Sequence, residues 1–138
     1  MGGGLLGYGD SAQISNSYAT GNVSGGQSAD VGGLIGVAQN GTFESSYSTG
    51  AVSGGEYSYV GGYMGYGLDF EIQNCYWDTT TSGTSDGIGD GGQTGLTGLT
   101  TEQLQGGLPK GFQKKIWAEK TAINNGFPYL IATPPPNK

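Results

Sequence analysis

Two carboxylates in a glycine-rich stretch are the residues of this chain best placed by spacing to bind a metal. Asp86 and Asp90 lie among the glycines of 86–92, and spaced carboxylates supply the hard oxygen ligands that Ca²⁺ prefers. The stretch lacks the repeated nonapeptide of calcium-binding β-rolls and the terminal Glu of an EF-hand. Asp86 and Asp90 are therefore calcium candidates, but we expect a solvated loop with no metal and no cofactor.

Three further acids could act as paired carboxylates. Some β-helices hydrolyse polysaccharides with such a pair, and Asp69, Glu71 and Asp78 lie close together in the sequence. No Lys or Arg accompanies them. The chain has no His, so neither a Cys–His pair nor a Ser-His-Asp triad can form, and the single Cys75 is expected to pack as a small residue. We predict that the protein is not an enzyme, with a polysaccharide-active β-helix as an alternative.

Tyrosines are the more suggestive candidates for binding. Tyr57, Tyr59, Tyr63 and Tyr66 lie within one short stretch, and aromatic rings on a rigid sheet can stack on sugar rings or anchor a protein partner. The alternative is that several of these rings cover a thin core. Ice binding, which needs a regular array of Thr, is a further alternative, but Asp78 interrupts the column that Thr20 and Thr49 begin.

These residues belong to a sequence that repeats itself every 29 residues. A glycine-flanked apolar pair recurs as Gly-Leu-Leu-Gly at 4–7, Gly-Leu-Ile-Gly at 33–36 and Gly-Tyr-Met-Gly at 62–65. A second pattern recurs as Ile-Ser-Asn-Ser-Tyr at 14–18, Phe-Glu-Ser-Ser-Tyr at 43–47 and Ile-Gln-Asn-Cys-Tyr at 72–76. A period of 20–50 residues is typical of a solenoid, a propeller or an array.

Composition indicates that the repeats are built from strands. Gly accounts for 30 of the 138 residues and charged residues for 12%, while Val, Ile, Thr, Tyr and Ser dominate between the glycines, which favours short strands and tight turns. We predict an all-β, parallel β-solenoid of about three 29-residue coils. Residues 31–37 and 60–66 should each form one strand, with the Gly-Gly pairs supplying positive φ at the corners.

Stacking coils place equivalent residues above one another. Two ladders are predicted: an apolar one of Ile14, Phe43 and Ile72, and an aromatic one of Tyr18, Tyr47 and Tyr76. Regular alternation would put Asn16 on the same face as Ile14 and Tyr18, and we favour this arrangement. A bulge would instead turn Ser17, Ser46 and Cys75 inward.

The chain divides into four segments: 1–81 as repeats, 82–99 as a Gly-, Thr- and Asp-rich loop, 100–133 as a C-terminal cap and 134–138 as a Pro-rich linker. The cap should contain a short helix with an N-cap Thr at 100–101. Its apolar residues Leu108, Phe112, Ile116 and Trp117 are expected to lie across the last coil. The uncovered first coil leaves a sheet edge, so end-to-end association through 2–7 is possible.

The charge of the chain limits its partners. A net charge of −6 and a pI near 4.2 argue against nucleic acid and against an anionic membrane surface. No window approaches 18 apolar residues, so we expect no membrane insertion.

The repeat resembles a known bacterial motif. Val-Gly-Gly-Leu-Ile-Gly at 31–36, followed by Ser-Tyr-Ser-Thr-Gly-Ala-Val-Ser-Gly at 46–54, resembles the GLUG repeat of large bacterial surface proteins. Asn-Cys-Tyr-Trp-Asp at 74–78, Leu-Thr-Thr-Glu-Gln-Leu at 99–104 and Leu-Pro-Lys-Gly-Phe at 108–112 look like the segment that ends such arrays in filamentous-haemagglutinin-like exoproteins of two-partner secretion systems. The resemblance extends from about residue 3 to residue 131. The third repeat degenerates after Asp78, and no stretch of the sequence resembles the secretion domain of such exoproteins.

This resemblance implies a right-handed parallel β-solenoid outside a bacterial cell, in an adhesive or scaffolding role and without shared catalytic residues. We therefore expect a non-catalytic segment of an extracellular surface protein that presents a rigid, Tyr- and hydroxyl-rich surface to a host or matrix glycan or protein. A subunit of a self-assembling extracellular fibre is the alternative.

Overall fold

The computed structural model describes residues 1–92 and 94–136. Gln93 of the predicted loop, and Asn137 and Lys138 of the predicted linker, lie outside the described residues. Short strands make up most of the regular structure, with two four-residue helices, α1 (Thr79–Ser82) and α2 (Thr101–Leu104), and a 3-10 helix at Asn124–Gly126. The strands are β1 (Gly2–Gly3), β2 (Leu6–Asp10), β3 (Gln13–Ala19), β4 (Val23–Ser24), β5 (Asp30–Gly32), β6 (Ile35–Gln39), β7 (Thr42–Ser48), β8 (Val52–Ser53), β9 (Tyr59–Gly61), β10 (Met64–Leu68), β11 (Glu71–Asp78), β12 (Ile88–Asp90), β13 (Leu96–Leu99), β14 (Trp117–Ala118) and β15 (Tyr129–Leu130).

Equivalent strands of successive repeats pair side by side and run parallel. The described residues form a sheet in the order β1-β5-β9, a second in the order β2-β6-β10-β12, a third in the order β3-β7-β11-β13 and the pair β4-β8. The register follows the 29-residue period: Phe43 pairs with both Ile14 and Ile72, and Tyr47 with both Tyr18 and Tyr76. The prediction of an all-β fold with parallel sheets is confirmed.

Each repeat bends inside the glycine-flanked motif. The backbone N–H groups of Leu34 and Ile35 both donate to the carbonyl of Tyr63, each at 2.9 Å. Two successive N–H groups of an extended strand point in opposite directions, so they can share one acceptor only where the chain turns. The predicted single strands over 31–37 and 60–66 are therefore wrong, because a bend divides each of them into two strands.

The motif glycines let two sheets pack backbone against backbone. A Cβ on Gly36 would lie 3.0 Å from the Gly2 nitrogen and oxygen in the facing sheet, and a Cβ on Gly65 would lie 2.5 Å from the Val31 nitrogen in that sheet. Each would also meet a carbonyl oxygen of its own sheet, that of Gly7 at 2.5 Å or of Gly36 at 2.7 Å. Backbone atoms held in a ladder cannot move aside as a flexible side chain could. The motif therefore requires residues without a side chain at these positions.

The predicted role of the Gly-Gly pairs at 25–26, 32–33, 54–55 and 61–62 is wrong, because none of these glycines has the positive φ angle of a corner. Those angles fall instead on polar residues and one tyrosine. The residues with positive φ recur at equivalent places in successive repeats: Ser11, Asn40 and Asp69 at one corner, Ser28 and Tyr57 at another, and Asn16, Ser45 and Asn74 inside the longest strands.

The left-handed residue inside each long strand reverses which side chains face the core. Phe43 packs in the main core, but Ser45, with a φ of 49°, interrupts the alternation. After it, Ser46 and Ser48 are buried on the inner side, where Ser48 donates to the Gly62 carbonyl, while Tyr47 faces outward into a second cluster. The predicted regular alternation is wrong. Ser46 and Cys75 point inward, as the bulge alternative required, because a left-handed residue shifts the phase by one position.

The stack continues beyond the third repeat. Strand β12 pairs with β10 through Met64 and Ile88, and β13 pairs with β11 through Cys75 and Leu96. Both lie within 82–99, so this segment is not simply a loop. The sequence repeat is lost here because the equivalent residues are separated by fewer than 29 positions.

Trp77 closes the core beneath this last layer. It follows Ala19 and Ser48 in its column, and its ring occupies the space beside Gly62 and Gly87. A Cβ on Gly87 would lie 2.6 Å from the Trp77 ring, so the larger indole is accommodated by loss of a neighbouring side chain. The indole Nε1 donates to the Thr84 carbonyl at 3.1 Å.

The C-terminal segment packs along the side of the stack. Tyr18 and Tyr47 are stacked with ring centroids 5.2 Å apart and planes 4° apart, and Trp117 lies within 6.0 Å of both. Phe112 lies between Trp117 and Tyr76. We call this outer set the flank cluster; it comprises Tyr18, Tyr47, Tyr76, Leu104, Phe112 and Trp117.

The prediction that the apolar residues of the cap lie across the last coil is therefore wrong. Hydrogen bonds tie the segment to three successive repeats: Trp117 Nε1 donates to Asn16 Oδ1, Tyr47 Oη to the Pro128 carbonyl and Tyr76 Oη to the Lys110 carbonyl. The outward tyrosine column creates an apolar surface along the side, and that surface must be covered.

The short helix of this segment begins as its sequence indicates. Thr100 is the N-cap of α2, and its side chain accepts from the Gln103 N–H while the Gln103 side chain accepts from the Thr100 N–H.

No helix in the described part of the chain has the length and apolar character needed to cross a membrane.

A glycine substitution tests the backbone packing. Gly36→Ala should lower the free energy of unfolding by about 3 kcal/mol, because the added methyl group meets fixed backbone atoms. Gly7→Ala is the matched control: it occupies the same motif position one repeat earlier, where an added methyl group would have no other atom within 4 Å. Urea denaturation of both variants would measure the difference, and equal stabilities would contradict the packing.

A core truncation tests the inner face of β7. Phe43→Ala should destabilise the protein by about 3 kcal/mol, because the fully buried ring fills space between two neighbouring repeats. Phe43→Leu, which retains most of the volume, should cost less than about 1.5 kcal/mol. A loss below about 0.5 kcal/mol for Phe43→Ala in urea denaturation would place the ring outside the core.

Candidate binding surfaces

Three of the four predicted ligand-binding tyrosines lie at the surface: Tyr57 and Tyr59 are exposed and Tyr66 is half-buried. Tyr59 and Tyr66 lie with ring centroids 5.8 Å apart, and Tyr59 is 45% exposed. Tyr57, two residues before Tyr59, is 85% exposed and adopts a φ of 63° at the position that Ser28 occupies in the preceding repeat. A bulky residue in this conformation is uncommon and strained. We call Tyr57, Tyr59 and Tyr66 the tyrosine patch.

Tyr63 does not belong to this surface, which corrects the prediction. Its side chain is fully buried, and its hydroxyl lies 2.7 Å from Ser46 Oγ and 3.5 Å from Cys75 Sγ. Burial, followed by the nearby Cys75, raises the pKa of Tyr63 well above 10.0. Tyr63 follows Leu34 in the motif column, so its ring enters the core like that leucine while its hydroxyl is satisfied by Ser46.

The three candidate carboxylates for hydrolysis are not brought together. Glu71 and Asp78 lie at opposite ends of β11, and Asp69 lies at the corner before it. Asp78 is fully buried and acts as the N-cap of α1: Oδ1 accepts from the Thr80 and Thr81 N–H groups, and Oδ2 accepts from Thr101 Oγ1 at 2.7 Å. Its hydrogen bonds stabilise the junction between the stack and α2.

The two calcium candidates lie on either side of β12. Asp86 precedes the strand, where its carbonyl accepts from the Gly62 N–H, and Asp90 ends it; both side chains are exposed. Among the described residues, no group of three or more His, Cys, Asp or Glu could hold a metal ion.

A polar surface that the sequence analysis did not identify lies where the C-terminal segment meets the stack. One depression of about 330 Å³ is lined by hydroxyl and amide side chains and one aromatic ring, and a second of about 320 Å³ by Gln105, Glu119, Thr121, Asn125 and Gly126. The first is lined by Thr20, Asn22, Thr49, Thr81, Asn124, Asn125 and Phe127. Asn125 lines both, and we call the two depressions together the asparagine groove.

Hydrogen bonds hold the centre of the asparagine groove in place. Asn124 Nδ2 donates to the Pro128 carbonyl at 3.0 Å and to Tyr47 Oη at 3.2 Å, and Gln105 Nε2 donates to the Asn125 carbonyl at 2.7 Å. Asn124 and Asn125 both have positive φ, a conformation that Asn tolerates better than most residues. Asn-Asn-Gly is a sequence typical of a turn, but the position of this turn beside Thr20 and Thr49 depends on how the C-terminal segment docks.

Glu119 brings an unusual carboxylate to the second depression. Within the described residues its Oε1 is buried and has no hydrogen-bond partner. Burial raises the pKa of Glu119 above 4.5, and a hydrogen bond from the Gly107 backbone acts in the opposite direction. A buried acceptor without a hydrogen-bond partner destabilises the folded state, so a hydrogen bond from a donor group to this oxygen would be favourable.

Comparison with protein families finds the GLUG motif twice, at residues 1–24 and 27–53. The chain thus contains GLUG repeats, and Gly36, which packs against backbone atoms, lies within the second match. No curated protein and no solved structure matched the chain.

Buried phenols predict the response of the fold to alkali. Burial, together with the nearby Tyr18, raises the pKa of Tyr47, and Tyr63 shifts in the same direction. A raised pKa means that these phenols contribute stability that is present below the ordinary value of 10.0 and lost as the pH rises above it.

The part of the tyrosinate absorbance that comes from the buried phenols should therefore appear together with the loss of the circular dichroism signal above about pH 10, in one cooperative unfolding transition. Ionisation of all nine tyrosines with an unchanged dichroism spectrum would contradict the burial of Tyr47 and Tyr63.

Proposed function

We propose that this chain is a non-catalytic structural and adhesive module of an extracellular bacterial surface protein. The observation that carries the proposal is the tyrosine patch: the Tyr59 and Tyr66 rings lie 5.8 Å apart, and Tyr57, two residues before Tyr59, is 85% exposed with a φ of 63°. Tyr is enriched in binding surfaces because it offers a large rigid area and a polar tip.

The scaffold supports this role because it is stiff. Main-chain ladders run through every repeat, the motif glycines bring sheets into direct backbone contact, and the flank cluster joins three repeats from the side. A surface held this way loses little conformational entropy on binding, so even weak contacts contribute when many modules act together.

The GLUG match and the parallel ladders support the finer assignment that we propose: a right-handed β-solenoid of about three 29-residue coils followed by a shortened layer and the C-terminal segment. The resemblance of the C-terminal segment to filamentous-haemagglutinin-like exoproteins suggests export by two-partner secretion. The ligand on this proposal is a host or matrix glycan or protein.

A self-assembling fibre is the second candidate, and the open edge of the first repeat favours it. The strands β1, β2, β3 and β4 lie at one end of their sheets, and Leu5 is 52% exposed there. Unpaired edge strands accept further strands. Light scattering over a range of concentrations tests this candidate: growth in mass with concentration supports it, and a constant monomer mass contradicts it.

The adhesive role is tested by removing the tyrosine patch. Tyr57→Ser combined with Tyr59→Ser should weaken binding to a glycan array or to matrix proteins by about tenfold or more, because both exposed rings are lost. Tyr8→Ser is the matched control, since Tyr8 is 48% exposed but lies in the first repeat. Binding that is unchanged in the double variant, or equally weakened in the control, would contradict a role for the patch.

A further inference from the structure

We propose that the asparagine groove is a binding site for a neutral oligosaccharide. This inference rests on the proposed adhesive role, for which it names a class of ligand and a site separate from the tyrosine patch. It depends on the composition of the groove, the availability of its polar groups and the rigidity of its centre.

The chemistry of the lining selects the ligand. Hydroxyl and amide side chains from both the stack and the C-terminal segment line the groove, and Phe127 supplies an aromatic face. Such groups match the vicinal hydroxyls of a sugar ring, each of which donates and accepts, while the aromatic ring can cover the apolar face of the sugar. Among the described residues no Lys lines either depression, and Glu119 is an acid. A neutral saccharide therefore fits the site better than an anionic one.

Several polar groups remain available to a ligand. Within the described residues, the exposed side chains of Asn125, Thr20 and Thr121 make no hydrogen bonds to protein atoms. Glu119 Oε1 is buried and is not one of these accessible groups. The groups beside them are already fixed: Asn22 Oδ1 accepts from the Ala51 N–H at 3.0 Å. The groove thus combines polar side chains that are free to bind a ligand with neighbouring side chains that are held in place by hydrogen bonds.

The size of the groove suits a short oligosaccharide. Each depression, of about 330 and 320 Å³, is at the lower end of the range for small-molecule sites, and Asn125 lies between the two. A chain of sugars can therefore occupy both depressions, with Asn125 contacting the residues on either side of one linkage.

The test uses the whole chain and three named probes: maltotetraose, cellotetraose and chitotetraose. Titration of ¹⁵N-labelled protein should shift the side-chain amide signals of Asn125 and Gln105 with at least one probe, saturating in the millimolar range that is expected for a shallow polar site, about 1–10 mM. A heparin-derived tetrasaccharide should leave these signals unchanged. Absence of any shift with all three neutral probes at about 10 mM overturns the proposal.

Asn125→Gly provides the decisive variant, because glycine keeps the left-handed turn while removing the amide. It should weaken binding of the active probe by about tenfold. Asn40→Gly is the matched control: Asn40 has a φ of 53° at a different corner, and the variant should bind as the parent does. Equal affinity of Asn125→Gly and the parent overturns the assignment.

The same titration separates this inference from the proposed function. The tyrosine-patch variant, Tyr57→Ser with Tyr59→Ser, should retain the shifts of Asn125 and Gln105. If that variant loses adhesion while the groove still binds saccharide, the groove is a saccharide-binding site that does not by itself account for adhesion. If adhesion persists in Asn125→Gly and no probe shifts the groove signals, the groove assignment fails while the adhesive role survives.

Discussion

The fold depends on the contact of backbone with backbone at the motif glycines. At Gly36 and Gly65 the neighbouring sheet lies so close that its nitrogen and oxygen atoms occupy the space of a methyl group. This approach forces the bend between β5 and β6 and lets two successive N–H groups converge on one carbonyl of the next repeat. Apolar side chains are thereby directed to the inner side, where Leu34, Ile35 and Met64 are fully buried. The glycines serve as points of contact, and the corners are made by polar residues with positive φ.

The left-handed residue in each long strand determines which side chains of that strand face the core. By shifting the alternation at Ser45, it places Phe43, Ser46 and Ser48 on the inner side and sends Tyr47 outward. The outward column would leave a line of aromatic rings in water, and the C-terminal segment covers it with Phe112 and Trp117. One backbone angle repeated every 29 residues therefore determines where that segment docks. Docking in turn creates the asparagine groove, since its lining comes partly from the stack and partly from the segment.

The two ends of the stack differ in how their core and their strand edges are covered. At the end formed by the third repeat, Trp77 fills the core beneath Gly87, and the short strands β12 and β13 extend two of the sheets. At the other end, the first repeat exposes Leu5 and the edges of four strands. Binding surfaces lie on the sides: the tyrosine patch at one corner and the asparagine groove along the docked segment. A module arranged in this way can present the same sides whatever precedes its first repeat.

By itself, the sequence determined the parallel, all-β architecture, the pairing of Ile14 with Phe43 and of Tyr18 with Tyr47, and the N-cap of α2. The strict period relates equivalent residues of successive repeats, and the capping residues are neighbours along the chain, so both can be read without knowing the fold. Tertiary structure alone decided that Tyr63 is buried, that Ser46 faces the core and that 82–99 carries two further strands. It also decided that the C-terminal segment covers the side of the stack and that Asn125 meets Thr20 and Glu119 in one groove. The physical reason is that the left-handed angle at Ser45 is unfavourable locally and is not specified by its chain neighbours. It is compensated by the packing of Tyr47 against Phe112 and Trp117, across a separation of more than sixty residues.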